Sequence, residues 1–89
     1  MGYDARVVAG YWGIGGHAWV VLFLDAKEYI IEATGKKIKR VYPLAQNLSD
    51  YHPDYMFNKD FIWVNQGSNL TTKYSGNHWV KFSQFQNLE

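Results

Sequence analysis

Two side chains in the first half of the chain, those of His17 and Glu32, could act together in acid–base chemistry. An imidazole that donates one ring N–H to a carboxylate is held in a single tautomer, and the carboxylate stabilises its cationic form. A general base that serves a thiol or a hydroxyl needs both properties. The 89 residues include no cysteine, so the sequence offers a candidate base and its orienting acid without a thiol nucleophile.

Whether these two side chains meet depends on the hairpin between them. Alternating apolar residues predict two strands joined by a short polar turn at Asp25-Ala26, with or without Lys27. The two-residue turn places Glu32 opposite Trp19 and diagonal to His17 on the same face. The backbones of His17 and Glu32 are then about 7–8 Å apart. The longer turn moves Glu32 to the opposite face, because side chains alternate along a strand. Whichever turn forms, the alternative to catalysis is that His17 merely starts a strand and Glu32 is an edge carboxylate.

Residues 3–34, YDARVVAGYWGIGGHAWVVLFLDAKEYIIEAT, resemble the second half of the transglutaminase-like core. In that family an ARVV.GY strand precedes a HAW strand with the catalytic histidine, and the next strand ends in Asp-Pro-Thr with the acidic member of the triad. The segment His17-Ala18-Trp19 matches the first motif and Glu32-Ala33-Thr34 the second, at the family's spacing. Two departures are Glu in place of Asp and Ala in place of Pro.

The resemblance implies that His17 is the general base and acid of a papain-like thiol enzyme, that Glu32 orients it, and that Trp19 packs beside the site. Such an enzyme transfers or hydrolyses acyl groups at amide or peptide bonds through a thioester, so the implied partner is a protein or peptide amide substrate. The family keeps its cysteine in an N-terminal half that is absent here. This chain alone is therefore expected to be inactive.

An alternative of another class is a non-catalytic β-sheet module, derived from the same scaffold, that binds a protein or peptide along the edge formed by residues 36–42. Met1-Gly2 directly before a strand, and the terminal Leu88-Glu89, look like residues added for expression. Residues 1–87 are accordingly expected to form one small domain, a fragment of a larger protein.

The expected fold is mainly β, the β part of an α+β papain-like or transglutaminase-like core. It is an antiparallel sheet of about five strands with little helix and one face in need of cover. The strand of His17 should be interior and covered on both sides, since both of its faces are apolar. Predicted strands cover residues 5–12, 17–24, 28–34, 55–57, 61–65 and 78–82, with an exposed basic edge at residues 36–42 and turns over residues 44–55.

Composition excludes several classes of function. A net charge of +1 gives no general attraction to nucleic acid, and no run of 18 apolar residues predicts a membrane span, so a cytoplasmic location is expected. No metal or cofactor is expected, because cysteine is absent and His52 and His78 lie in turn-rich sequence without a second ligand at metal spacing. The basic cluster is expected to form a solvated edge; it consists of Lys36, Lys37, Lys39 and Arg40. Three tryptophans are expected to lie in the core: Trp12, Trp63 and Trp79.

Overall fold

Six antiparallel strands form one sheet in the computed structural model, which describes residues 3–32 and 43–84. The strands are β1 (Asp4–Trp12), β2 (Gly15–Leu24), β3 (Lys27–Ile31), β4 (Tyr51–Phe57), β5 (Phe61–Asn65) and β6 (Trp79–Ser83), and a short 3-10 helix covers Ala45–Asn47. Their order across the sheet is β3-β2-β1-β4-β5-β6. The mainly β, antiparallel fold with little helix is confirmed, with six strands where the sequence suggested about five. In the described ranges no helix is long and apolar enough to cross a membrane.

Tight turns join the first three strands into a meander. Gly13 has a φ of 62° and is the first of the two residues between β1 and β2, as in a type II′ turn. Asp25 and Ala26 connect β2 to β3 with φ values of 54° and 63°, the pair of positive angles that a type I′ turn requires. The two-residue turn predicted at Asp25-Ala26 is therefore confirmed.

This turn fixes the register of β2 against β3. Val20 pairs with Ile31 and Leu24 with Lys27, so the pairing that places Glu32 on the face of His17 is the one observed. The longer turn, which would have separated the two side chains, is excluded.

A β-bulge lies where β1 meets β4. Ala9 pairs with Tyr55 but Gly10 pairs with Pro53, which leaves Asp54 as the extra residue. Proline is tolerated in an interior strand at such a position, because the ladder is already interrupted there. A Cβ atom on residue 10 would lie 2.1 Å from the carbonyl oxygen of His52, so only glycine fits this crossing.

One face of the sheet carries the packed core. Trp19, Val8, Met56 and Trp63 lie side by side across four strands and are buried. The segments before β4 and before β6 cover this face, each contributing one buried residue, Ala45 and Tyr74. The expectation of core positions for Trp63 and Trp79 is confirmed.

Beside the buried centre of the core face, the guanidinium of Arg6 stacks on aromatic rings. The Arg6 guanidinium lies 3.6 Å from the ring centre of Trp63 and 4.3 Å from that of Phe23, and it forms a two-pronged ion pair with Asp4. The planar guanidinium bridges aromatic side chains of two strands that are not neighbours in the sheet.

The opposite face is apolar but open in the described part of the chain. β2 is interior as predicted, yet Ala18 and Leu24 on this face are exposed, so the expected cover on both sides was wrong. Alternation along β2 reveals which positions share a face but not whether another layer lies over them. The basic edge predicted at residues 36–42 and its four cationic residues lie outside the described residues.

Candidate functional site

His17 and Glu32 contact each other at one end of the core face. Nε2 of His17 lies 3.1 Å from Oε1 and 3.0 Å from Oε2 of Glu32. Both side chains are partly buried, with 23% and 34% of their surfaces exposed, so the pair is shielded without being sealed from solvent. The carboxylate thereby engages one ring nitrogen, and in the described part of the chain no hydrogen bond engages Nδ1.

The backbone of the hairpin holds this pair in place. Glu32 follows β3 directly, and continuation of the register places it opposite Trp19, two residues beyond His17. A cross-strand diagonal of this kind separates the backbones by about 7–8 Å, a gap that an imidazole and a glutamate can close together. The extra methylene of Glu relative to Asp therefore suits this separation.

Tyr51 is a third member of the site, and sequence reasoning missed it. Its hydroxyl donates a hydrogen bond to Oε2 of Glu32 at 2.9 Å. Burial, the hydrogen bond to Glu32 and the negative charges of Glu32 and Asp50 together raise the pKa of Tyr51 to about 12, and burial is the largest of these causes. The phenol thus remains a donor at neutral pH, and it binds the carboxylate oxygen that lies 3.0 Å from Nε2 of His17.

Aromatic rings surround the histidine. The indole of Trp19 stacks on the imidazole with ring centres 5.9 Å apart and an angle of 22° between the planes. Tyr51 meets Trp19 edge to face at 5.0 Å, and Trp12 lies 6.1 Å from the His17 ring and 6.4 Å from that of Tyr51. Such contacts restrict the imidazole to one orientation. The prediction that Trp19 packs beside the site is confirmed.

A buried hydrogen bond holds the indole of Trp19 in place. Its Nε1–H donates to the Tyr74 hydroxyl at 3.1 Å, and both side chains are almost fully buried. Burial raises the pKa of the Tyr74 phenol well above its usual range, against the opposing effect of the hydrogen bond from Trp19. The backbone N–H of Tyr74 and the hydroxyl of Ser75 both donate to the carboxylate of Glu28, which ties the covering segment to β3.

Open space adjoins the imidazole on one side. Gly15 precedes His17 by two residues and so lies on the same face, and a Cβ atom there would meet nothing within 4 Å. Trp12, its cross-strand partner, is 52% exposed, so the expectation of a core position for this tryptophan was wrong. Trp12 lies at the end of β1, beyond the part of the face that the covering segments reach. A nucleophile or a substrate group could approach His17 over Gly15.

The other histidines do not join this site. His52 lies in β4, not in a turn as the sequence suggested, and its Nδ1 is buried without a hydrogen-bond partner among the described residues. His78 is half-buried, with Nε2 3.3 Å from the carbonyl oxygen of Lys73. Within residues 3–32 and 43–84, no three His, Asp or Glu side chains are grouped as ligands for a metal ion.

The signal for Tyr51 was hidden by its neighbours. Asp50, Pro53 and the other turn-forming residues of this stretch favour an irregular segment, whereas β4 begins at Tyr51 and contains a bulge at Asp54. The alternation that would reveal a strand is broken at that bulge. The position of Tyr51 opposite Trp12 therefore could not be assigned from the sequence.

Comparison with known proteins adds no relative: no protein-family model, no curated protein and no solved structure matches this chain.

Proposed function

We propose that this chain supplies the histidine and acidic members of a thiol acyl-transfer site of the transglutaminase-like kind. The observation that carries the proposal is the contact of Nε2 of His17 with both carboxylate oxygens of Glu32. Stacking on Trp19 and the Tyr51 hydrogen bond to Glu32 support it, because they hold base and acid in one geometry. The HAW and Glu-Ala-Thr motifs support it independently.

The nucleophile in this proposal is a cysteine from polypeptide beyond these 89 residues. Nδ1 of His17 takes the proton of that thiol, and the thiolate attacks the carbonyl carbon of a protein or peptide amide. His17 then returns the proton to the departing amine as the C–N bond breaks, and a thioester remains. Water or a second amine attacks the thioester, with His17 removing its proton, and the cysteine is released as thiol. The N–H group at Nε2 of His17 keeps its hydrogen bond to the Glu32 carboxylate throughout.

An introduced thiol tests whether His17 can serve as this base. Gly15→Cys places a single thiol on the face of His17, where a side chain meets open space. Ile14→Cys, in the adjoining turn, is the matched control, since residue 14 is fully exposed. The chain has no other cysteine, so alkylation by iodoacetamide reports on one residue in each variant.

We expect the thiol at position 15 to react about tenfold faster than the one at position 14 below pH 7, because a neighbouring imidazole increases the fraction of thiolate. The advantage should vanish in Gly15→Cys/His17→Gln and fall in Gly15→Cys/Glu32→Gln. Equal rates for the two thiols at every pH would rule out a base function for His17 at this position.

The non-catalytic module remains the second candidate, and the open apolar face of the sheet favours it. A surface that binds a protein needs exposed apolar area and no acid–base pair. Such a module does not need His17 as a base, so equal reactivity of the two introduced thiols at every pH would favour it.

A further inference from the structure

The imidazole of His17 has one ring nitrogen that the site leaves unoccupied. Glu32 engages Nε2, and within residues 3–32 and 43–84 no hydrogen bond engages Nδ1. With the proton on Nε2, the lone pair of Nδ1 can attack an electrophilic carbon as well as take a proton. The side chain is 23% exposed, so a small molecule from solvent can reach the ring.

Room for such a molecule and an exposed aromatic ring lie beside this imidazole. A Cβ atom at Gly15, on the face of His17, would meet nothing within 4 Å. Trp12 is the cross-strand partner of Gly15, and its ring centre lies 6.1 Å from that of His17. Because this partner has no side chain, it leaves the half-exposed indole of Trp12 uncovered. A flat ring can stack on Trp12 while a carbonyl group attached to it reaches His17.

We propose that His17 is also a nucleophile, and that this chain without a cysteine hydrolyses aryl esters of small carboxylic acids, with the aryl group held on Trp12. Nδ1 attacks the carbonyl carbon, the bond from that carbon to the phenolic oxygen breaks, and the phenolate leaves with the electron pair. The acylated imidazole is a cation, which the Glu32 carboxylate at Nε2 stabilises.

Water completes the reaction. Its oxygen attacks the acyl carbon, the bond between that carbon and Nδ1 breaks, and the electron pair of this bond returns to the nitrogen. The carboxylic acid leaves, and one proton of the water passes to solvent, where it balances the charge of the phenolate. The imidazole is thereby restored with its proton on Nε2.

The leaving group limits this activity to esters of the aryl kind. A phenolate spreads its charge over the ring and departs without a proton, whereas an amine must be protonated before the C–N bond breaks. The adduct of imidazole with an amide therefore reverts. The inference goes beyond the proposed thiol site, since it requires no cysteine, and it agrees with an absence of activity on amides.

The test is hydrolysis of 4-nitrophenyl acetate by the 89-residue chain, with the ester in large excess and the release of nitrophenolate followed by absorbance. We expect continued turnover by the wild type and a rate at least about tenfold lower in His17→Gln. His52→Gln and His78→Gln, which alter histidines outside the site, should retain the rate. A His17→Gln variant that keeps most of the rate would overturn the proposal. So would release that stops after stoichiometric acylation of the chain.

A pair of glycine variants tests the approach to the imidazole without altering it. Gly15→Val fills the open space beside His17 and should lower the rate as His17→Gln does. Gly16→Val is the matched control, because Gly16 lies on the other face and a Cβ atom there also meets nothing within 4 Å. Circular dichroism verifies the fold of each variant. Equal rates in the two folded variants would contradict approach over Gly15.

A second pair tests the aryl subsite. Trp12→Ala should lower the rate about fivefold through the loss of ring stacking. Tyr11→Ala is its control, since Tyr11 is 47% exposed and lies next to Trp12 on the opposite face. Equal rates in these variants would exclude Trp12 as the aryl subsite. Alkylation of the introduced thiols reports proton transfer to His17, and ester hydrolysis reports attack by it, so either proposal can fail without the other.

Discussion

The hydroxyl of Tyr51 donates to Oε2 of Glu32, the same oxygen that lies 3.0 Å from Nε2 of His17. One carboxylate thus joins two strands that are not neighbours, because Tyr51 belongs to β4 and His17 to β2. The arrangement predicts that Tyr51 and Glu32 depend on each other in ways that can be measured.

The first prediction concerns the titration of Tyr51. Its pKa of about 12 reflects burial first and Glu32 second, so Glu32→Gln should lower the pKa of Tyr51 while leaving it above 10, the ordinary value. The measurement is the absorbance of tyrosinate against pH, with Tyr51→Phe used to assign the phenol. An unchanged titration in Glu32→Gln would show that the hydrogen bond is absent in solution.

The same shift predicts how stability depends on alkaline pH. A phenol whose pKa is raised in the folded state stabilises the protein fully below its unfolded pKa, near 10, and this stabilisation is lost as the pH rises towards 12. The free energy of unfolding of the wild type should therefore fall more steeply over this range than that of Tyr51→Phe. Urea denaturation at a series of pH values measures the difference. Parallel curves would contradict it.

Tyr74→Phe should destabilise the protein by about 1–3 kcal/mol, because it leaves the buried Nε1–H of Trp19 without an acceptor. Tyr3→Phe is the matched control, since Tyr3 is largely exposed and its loss of a hydroxyl should cost little. Chemical denaturation provides both values. Equal stability of the two variants would mean that water or another group accepts from Trp19.

Gly10→Ala should destabilise by about 1–3 kcal/mol, since the added methyl overlaps the carbonyl oxygen of His52 and must displace the bulge in β4. Gly16→Ala is a suitable control, because a Cβ atom there meets nothing within 4 Å. The displacement should also shift the amide resonances of Tyr51, which lies just beyond the bulge. A neutral Gly10→Ala variant would place the β1–β4 pairing in doubt.

Ala26→Gly should stabilise the hairpin by roughly 1 kcal/mol, because alanine at a φ of 63° adopts a conformation that glycine adopts without strain. The turn at Asp25-Ala26 sets the register of Glu32, so this variant should retain the contact between His17 and Glu32. A thermal denaturation series measures the gain. Loss of stability would indicate a turn of another type, and with it another register.

The hairpin and its acid–base pair could be predicted from the sequence because both depend on local spacing. The alternation of β2 and the polar break at Asp25-Ala26 limit the pairing to two registers, and one of them brings Glu32 to His17. The contributions of Tyr51 and of the open face could not be predicted in this way. They depend on which strand pairs with β1 and on which face the later segments cover, and these are long-range choices that alternation leaves undetermined.

The central claim is that Glu32 engages Nε2 of His17 and leaves Nδ1 available to a nucleophile. Long-range proton–nitrogen correlation spectra of the neutral ring test it directly, since they report which nitrogen carries the proton and whether that proton is hydrogen-bonded. We predict a proton on Nε2 of His17 that is shifted downfield and protected from exchange, and its loss in Glu32→Ala. A proton on Nδ1, or a spectrum identical in the wild type and Glu32→Ala, would contradict the account.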